Sequence, residues 1–190
     1  PSSENSIASE HYEQYEQNEQ DEQQGGEGGD TFIDVSSLTG KKGLNRIMNF
    51  VESYSPSVKG SFSYKTNKYG RIFSPAEIGK YSNKIKTICD SVMNSTGIVL
   101  IYSQWIDSGL IPMALALEEL GFTRANGKSL FETPPTTPLD SLTLTPKGSD
   151  GIKTFSPAKY ALISGDIRLS SNNAEEIKML TLRPYQEAAI

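Results

Sequence analysis

Between Gly97 and Gly121 the chain reads GIVLIYSQWIDSGLIPMALALEELG. Ile98, Val99, Leu100, Ile101 and Tyr102 are consecutive apolar residues, where a strand with one face in water would alternate. The run therefore predicts a strand buried on both faces, in a parallel sheet covered by helices. Ser103 and Gln104 stand at its C-terminal end. Asp107, Ser108 and Gly109 offer turn and cap chemistry, and Leu110, Met113, Leu117 and Leu120 follow at helical spacing. Pro112 fits a first helical turn, where its missing amide hydrogen has no intrahelical partner, and Gly121 fits the C-terminal cap. The stretch reads as half of a β-α-β unit. Ligands gather at the carboxyl ends of strands in open α/β sheets, so Ser103 and Gln104 are the first candidate binding residues. From spacing alone, capping and turn formation also account for them.

The rest of the 190 residues suits one domain with a tail. Residues 1–30 are rich in Glu, Gln and Gly and bury too little apolar surface to offset ordering entropy, which predicts a disordered acidic tail. Its Gly25, Gly26, Gly28 and Gly29 read as a flexible linker, since no Lys-Ser/Thr pair follows to make a phosphate cradle. His11, the only histidine, has no cysteine beside it to form a metal site. No window approaches the roughly 20 apolar residues of a membrane span, and the N-terminus lacks the basic and apolar regions of a signal peptide, so a soluble intracellular protein is expected. Cys89 is the only cysteine and falls on the apolar side of an expected helix, as a structural thiol would.

The net charge of -5 divides unevenly. Residues 1–30 carry nine acidic residues and no Lys or Arg, leaving 18 basic and 14 acidic side chains to the remainder. From Lys41 to Lys86 there are ten basic residues against Glu52 and Glu77 alone. Such a distribution favours a phosphate backbone as partner, although a solvated lysine-rich face has the same composition.

Order is expected from Thr31. Phe32, Ile33 and Val35 suggest a short strand, and Leu44, Ile47, Met48 and Val51 repeat at helical spacing behind Gly40 and Gly43. LTGKKG is not a Walker A loop: Val35 stands where the first glycine belongs, and Lys42 where the magnesium-binding Ser/Thr belongs. SFSYKTNKYGRIF predicts a hairpin turning at Thr66, Asn67 and Lys68, with Lys65, Lys68 and Arg71 facing phosphates or solvent. Ser74, Pro75, Ala76 and Glu77 form a capping box with proline at the first helical position. A helix with one stripe of Ile78, Tyr81, Ile85, Ile88, Val92 and Met93 should follow. Residues 123–158 hold Pro134, Pro135, Pro138, Pro146 and Pro157 and read as an insertion on the crossover, with a possible strand at 141–145. Lys159 to Ser164 is the second expected core strand, with Gly165 and Asp166 at its carboxyl end, and Asn173 with Glu176 starts a helix over AEEIKML.

VLIYSQ, a helix ending LEELGF, YALISGD and EEIKML together resemble the first half of the second RecA-like motor lobe of superfamily 2 helicases and Swi/Snf-type translocases. LTGKKGLNRIM, YGRIFSPAEIGKYSNKIK, GIVLIYSQWIDSG, IPMALALEELGF and SLFETPPTTPLDSLTL are closer still in wording to helicases of nucleocytoplasmic large DNA viruses, including the poxvirus early-transcription helicase family. The resemblance covers roughly Phe32 to Leu180. It implies a RecA-like parallel sheet covered by helices, with Ser103 and Gln104 matching motif IV and Gly165 and Asp166 matching the loop after the next strand. In that family these strand ends line the nucleic-acid track. It also implies a first lobe as partner, with ATP and magnesium held between the two lobes of the complete enzyme. No phosphate loop, Asp-Glu strand end, motif V or arginine-rich motif VI is visible here, so the chain alone is expected not to hydrolyse ATP. Leu182, Arg183, Pro184, Tyr185 and Gln186 resemble the entry to a first lobe and depart from the pattern.

Independent catalytic chemistry has little to build on. Ser103 and Cys89 have no histidine in the ordered part to activate them. Glu118 and Glu119 are helix neighbours pointing about 100° apart and read as a solvated face. Asp166 has no second carboxylate nearby with which to bind magnesium.

The sequence thus predicts an acidic tail (1–30), a partial helicase C-terminal lobe (31–181) and a divergent tail (182–190). Lys65, Lys68, Arg71, Ser103, Gln104, Gly165 and Asp166 are its expected nucleic-acid contacts. The viral resemblance implies the host cytoplasm or the virion. The alternative is a non-catalytic interaction module of a viral transcription complex, which kept the fold and lost the motor.

Overall fold

The helix Ile111–Leu120 is buried on every face: each residue from Ile111 to Glu119 is enclosed, and Leu115 has no exposed surface. IPMALALEEL explains this, being apolar all round except for its two glutamates, and a helix of that kind belongs inside a core. Pro112 lies in its first turn, as expected. Gly121 caps its end at φ +104, and a Cβ there would lie 2.7 Å from the Thr137 carbonyl oxygen, so only glycine fits.

In the computed structural model, residues 38–50, 62–125, 128–164 and 169 are described. Their elements run α1 (Gly40–Ile47), β1 (Met48–Phe50), β2 (Phe62–Tyr64), α2 (Thr66–Tyr69), α3 (Ile78–Tyr81), α4 (Asn83–Met93), a π-helical turn (Ile106–Leu110), α5 (Ile111–Leu120), β3 (Thr123–Arg124) and β4 (Lys159–Tyr160). β1 and β2 pair antiparallel, with Met48 opposite Tyr64 and Phe50 opposite Phe62. β3 and β4 pair parallel, with Arg124 opposite Tyr160. The described residues are therefore mixed α and β, with the β3–β4 pair parallel. α1 packs on the π-helical turn, and α4 packs on α5. Met48, Phe62, Phe73, Ile78, Val92 and Phe131 close the core with α5.

The expected central strand is not one. Ile98 to Tyr102 pair with no strand among the described residues, and Ile98, Val99, Leu100 and Tyr102 are 68%, 43%, 90% and 86% exposed. β4, the parallel partner this run was expected to have, pairs with β3 instead and spans only Lys159–Tyr160 of the expected 159–164. An apolar run becomes a buried strand only when neighbours take its backbone hydrogen bonds and cover its faces, and here α5 occupies the centre.

Local corrections follow the same logic. The hairpin expected at Thr66–Lys68 is the short helix α2, because β2 finds its partner in β1 and not in the residues after the turn. Met48, expected on a helical stripe, begins β1. The helix expected from Pro75 starts at Ile78 and breaks at Ser82, whose hydroxyl accepts from the Ile85 amide and starts α4. Tyr81 sits at that break and is 53% exposed, off the expected stripe. Cys89 is buried, and desolvation pushes its thiol up to about 11. Glu118 and Glu119 are 4% and 3% exposed and do not form a solvated face.

The proline-rich crossover between β3 and β4 is bonded into the body without an α-helix or ladder strand among its described residues. The amide of Leu139 donates to the Gly121 carbonyl, that of Ala158 to Leu139, and that of Thr123 to Ala158, all at 2.8 to 2.9 Å. The expected strand over 141–145 is a turn held by Asp140, whose Oδ1 accepts from the amides of Leu142 and Thr143 and whose Oδ2 accepts from that of Ser156. The strand expected at Phe32–Val35, the helix over AEEIKML, and Leu182 to Gln186 lie outside the described residues.

Candidate nucleic-acid interface

Lys42 and Arg46 are four residues apart in α1 and so share one helix face. Their first turn holds no acidic residue, which leaves the positive N-terminal end of the helix dipole beside Lys41 and Lys42. Gly43 lets this turn form, since a Cβ there would lie 2.3 Å from the carbonyl oxygen of Leu38.

Opposite them, the chain leaving β2 carries Lys65, Lys68 and Tyr69. The Lys65 ammonium donates to the Asn45 carbonyl oxygen, which ties α2 to α1. Lys68 Nζ lies 5.2 Å from the centroid of the Tyr69 ring. Lys42, Asn45, Arg46, Lys65, Lys68 and Tyr69 together line an open concavity of about 470 Å³. Four of these six side chains are cationic and none is acidic.

Tyr69 reports the local field. Hydrogen bonding from Lys68, helped by the charges of Lys68 and Arg46, pulls its phenol below the ordinary 10.0. Surroundings that favour a phenolate also favour a phosphate oxygen, and an aromatic ring beside lysines offers a base a face to stack on.

Of the expected contacts, Lys65 and Lys68 meet here. Arg71 does not: its Nε and Nη2 donate to Oε1 and Oε2 of Glu119 at 3.2 and 2.5 Å, and its Nη2 also reaches the Pro135 carbonyl at 3.0 Å. Glu119 raises the Arg71 pKa, and Tyr64 donates to the same carboxylate at 2.5 Å. Ser103 closes a local turn, its hydroxyl donating to the Trp105 carbonyl and accepting from the Trp105 amide, both at 3.1 Å. Gln104 is exposed, just before the π-helical turn on which α1 packs. Gly165 and Asp166 lie outside the described residues.

Sequence reasoning missed Lys42, Asn45, Arg46 and Tyr69 as members of a site. The i,i+4 spacing of Lys42 and Arg46 was readable, but their meeting with Lys65 and Lys68 depends on the pairing of β1 with β2. Among the described residues no helix is long and apolar enough to cross a membrane, and no His, Cys, Asp and Glu side chains gather as a metal site. No protein-family model, characterised protein or solved structure matches the chain.

Proposed function

We propose that this chain is part of the second, RecA-like motor lobe of an ATP-dependent nucleic-acid helicase or translocase of the viral type it resembles. In this reading it grips the nucleic-acid backbone through Lys42, Arg46, Lys65 and Lys68. The observation that carries the reading is the concavity itself: four cations converge on one open surface, with no carboxylate among its described lining residues. Contacts of this kind position a strand and read little sequence. Tyr69 adds a stacking face, while exposed Gln104, just before the π-helical turn on which α1 packs, extends the track. A first lobe would hold ATP and magnesium and supply the hydrolysis that moves the two lobes, and this lobe would hold the strand between strokes. The setting would be the host cytoplasm or the virion.

The test is fluorescence anisotropy with labelled single- and double-stranded DNA and RNA over a salt series. Wild type should bind with a steep salt dependence. Lys65→Ala with Lys68→Ala, and separately Lys42→Ala with Arg46→Ala, should weaken binding and lower the slope of log K against log salt by about 1 per cation removed. Absence of salt-sensitive binding at low ionic strength overturns the proposal.

One observation favours a second reading. The exposed side chains of Ile98, Val99, Leu100 and Tyr102 suit a protein partner, as a non-catalytic module of a viral transcription complex would require. A chain that binds no nucleic acid and is pulled into a defined complex through these side chains would support it.

A further inference from the structure

Arg124 closes β3 at the carboxyl end of the parallel pair and is 6% exposed. Its Nε and Nη2 are enclosed and have no hydrogen-bond partner among the described residues. A buried lysine or carboxyl group can shed its charge, but a guanidinium cannot, so a buried one requires a counter-charge and hydrogen-bond acceptors. The buried acids among the described residues are Glu118, Glu119 and Asp140, and each is engaged elsewhere. Glu118 accepts from Ser129, Leu130, Phe131 and Tyr160, Glu119 from Arg71 and Tyr64, and Asp140 from Leu142, Thr143 and Ser156.

The two unpartnered nitrogens are not an arbitrary pair. Nε and Nη2 form the side-on edge of the guanidinium, whose parallel N–H bonds match two oxygens on one centre. This protein uses that edge once already, where Arg71 presents the same two nitrogens to the two oxygens of Glu119. Arg124 is the last residue of β3, at the carboxyl end of the parallel strand pair, the end at which ligands of open α/β sheets collect.

We infer that Arg124 is the receptor of a small oxyanion, phosphate or carboxylate, taken up in bidentate fashion at the carboxyl end of the β3–β4 pair. The site is separate from the surface concavity and does not rest on the nucleic-acid reading. Filling it pairs a buried charge that has no counter-charge among the described residues and stabilises the fold by an amount that grows with the logarithm of anion concentration above Kd.

The experiment is thermal unfolding of the full chain in chloride, phosphate or acetate at matched ionic strength and pH, with each anion present from refolding onward so that an enclosed site is filled as it forms. Phosphate or acetate should raise the Tm of wild type by several degrees over chloride, and whichever does so identifies the ligand class. Arg124→Met should melt no lower than wild type in chloride and lose the anion response. Lys65→Ala with Lys68→Ala should keep it. If the methionine variant does not fold, the arginine Nε–H resonance of wild type, identified by its loss in Arg124→Lys, should shift on adding the effective anion. Two results overturn the inference: an anion response that survives in Arg124→Met, or no response to either anion in wild type.

Discussion

Glu118 receives four hydrogen bonds in the core: Leu130 amide and Tyr160 hydroxyl on Oε1 at 2.8 and 2.7 Å, Ser129 hydroxyl and Phe131 amide on Oε2 at 2.7 and 3.2 Å. All four partners donate, so the site suits a group that accepts on both oxygens. Glu118→Gln would turn an amide NH₂ towards donors and should lower the free energy of unfolding by about 2–4 kcal/mol, measured by urea denaturation. A loss under about 0.5 kcal/mol would mean that loop 128–131 does not depend on this carboxylate. Asp140 gives a pH-dependent counterpart. Backbone amides of Ser156, Thr143 and Leu142 hold its carboxyl below the ordinary 3.8. A depressed folded-state value stabilises above the unfolded-state value and is lost as pH falls through the folded one. Asp140→Ala should therefore lower Tm at neutral pH, and its gap from wild type should close as the pH drops below the ordinary carboxylate value. A gap independent of pH would show that the turn is held by something other than this charge.

At the scale of elements, two apolar segments joined by one short turn meet opposite fates. Leu115 in α5 has no exposed surface, whereas Leu100 in the preceding extended run is 90% exposed. Leu115→Ala should cost about 2–5 kcal/mol through lost contacts and the cavity left behind. Leu100→Ser should change stability by less than about 0.5 kcal/mol while reducing self-association, since an exposed, unpaired apolar strand-former invites edge pairing. Urea melts and light scattering read the two effects separately. Stability lost equally at both positions would show that the run is packed in solution. The β1–β2 pair matters in another way: its register sets α2 opposite α1, and the concavity exists because two segments separated by residues 51–61 are brought together.

Across the whole molecule, the basic segment from Lys41 to Lys86 was visible as composition, but composition did not say which of its cations converge. Lys42, Arg46, Lys65 and Lys68 do, whereas Arg71, on the same segment, is turned to Glu119. The parallel pairing expected of an α/β chain is present, carried by β3 and β4 and not by the run from Ile98 to Tyr102. What the amino-acid order determined by itself was local: a helix from Ile111 with Pro112 in its first turn, its end at Gly121, a proline-rich crossover with no α-helix among its described residues, and a buried Cys89. These follow from φ restrictions, missing amide hydrogens and side-chain periodicity, all of which act within a few residues. Only the tertiary structure decided that Ile98, Val99, Leu100 and Tyr102 face solvent while Ile101 packs on the core, that Glu118 and Glu119 are buried, and that Arg124 is enclosed with two nitrogens unpartnered among the described residues. Burial and pairing are relations between distant segments competing for the same core and the same hydrogen-bond partners, and no local stretch carries the outcome of that competition.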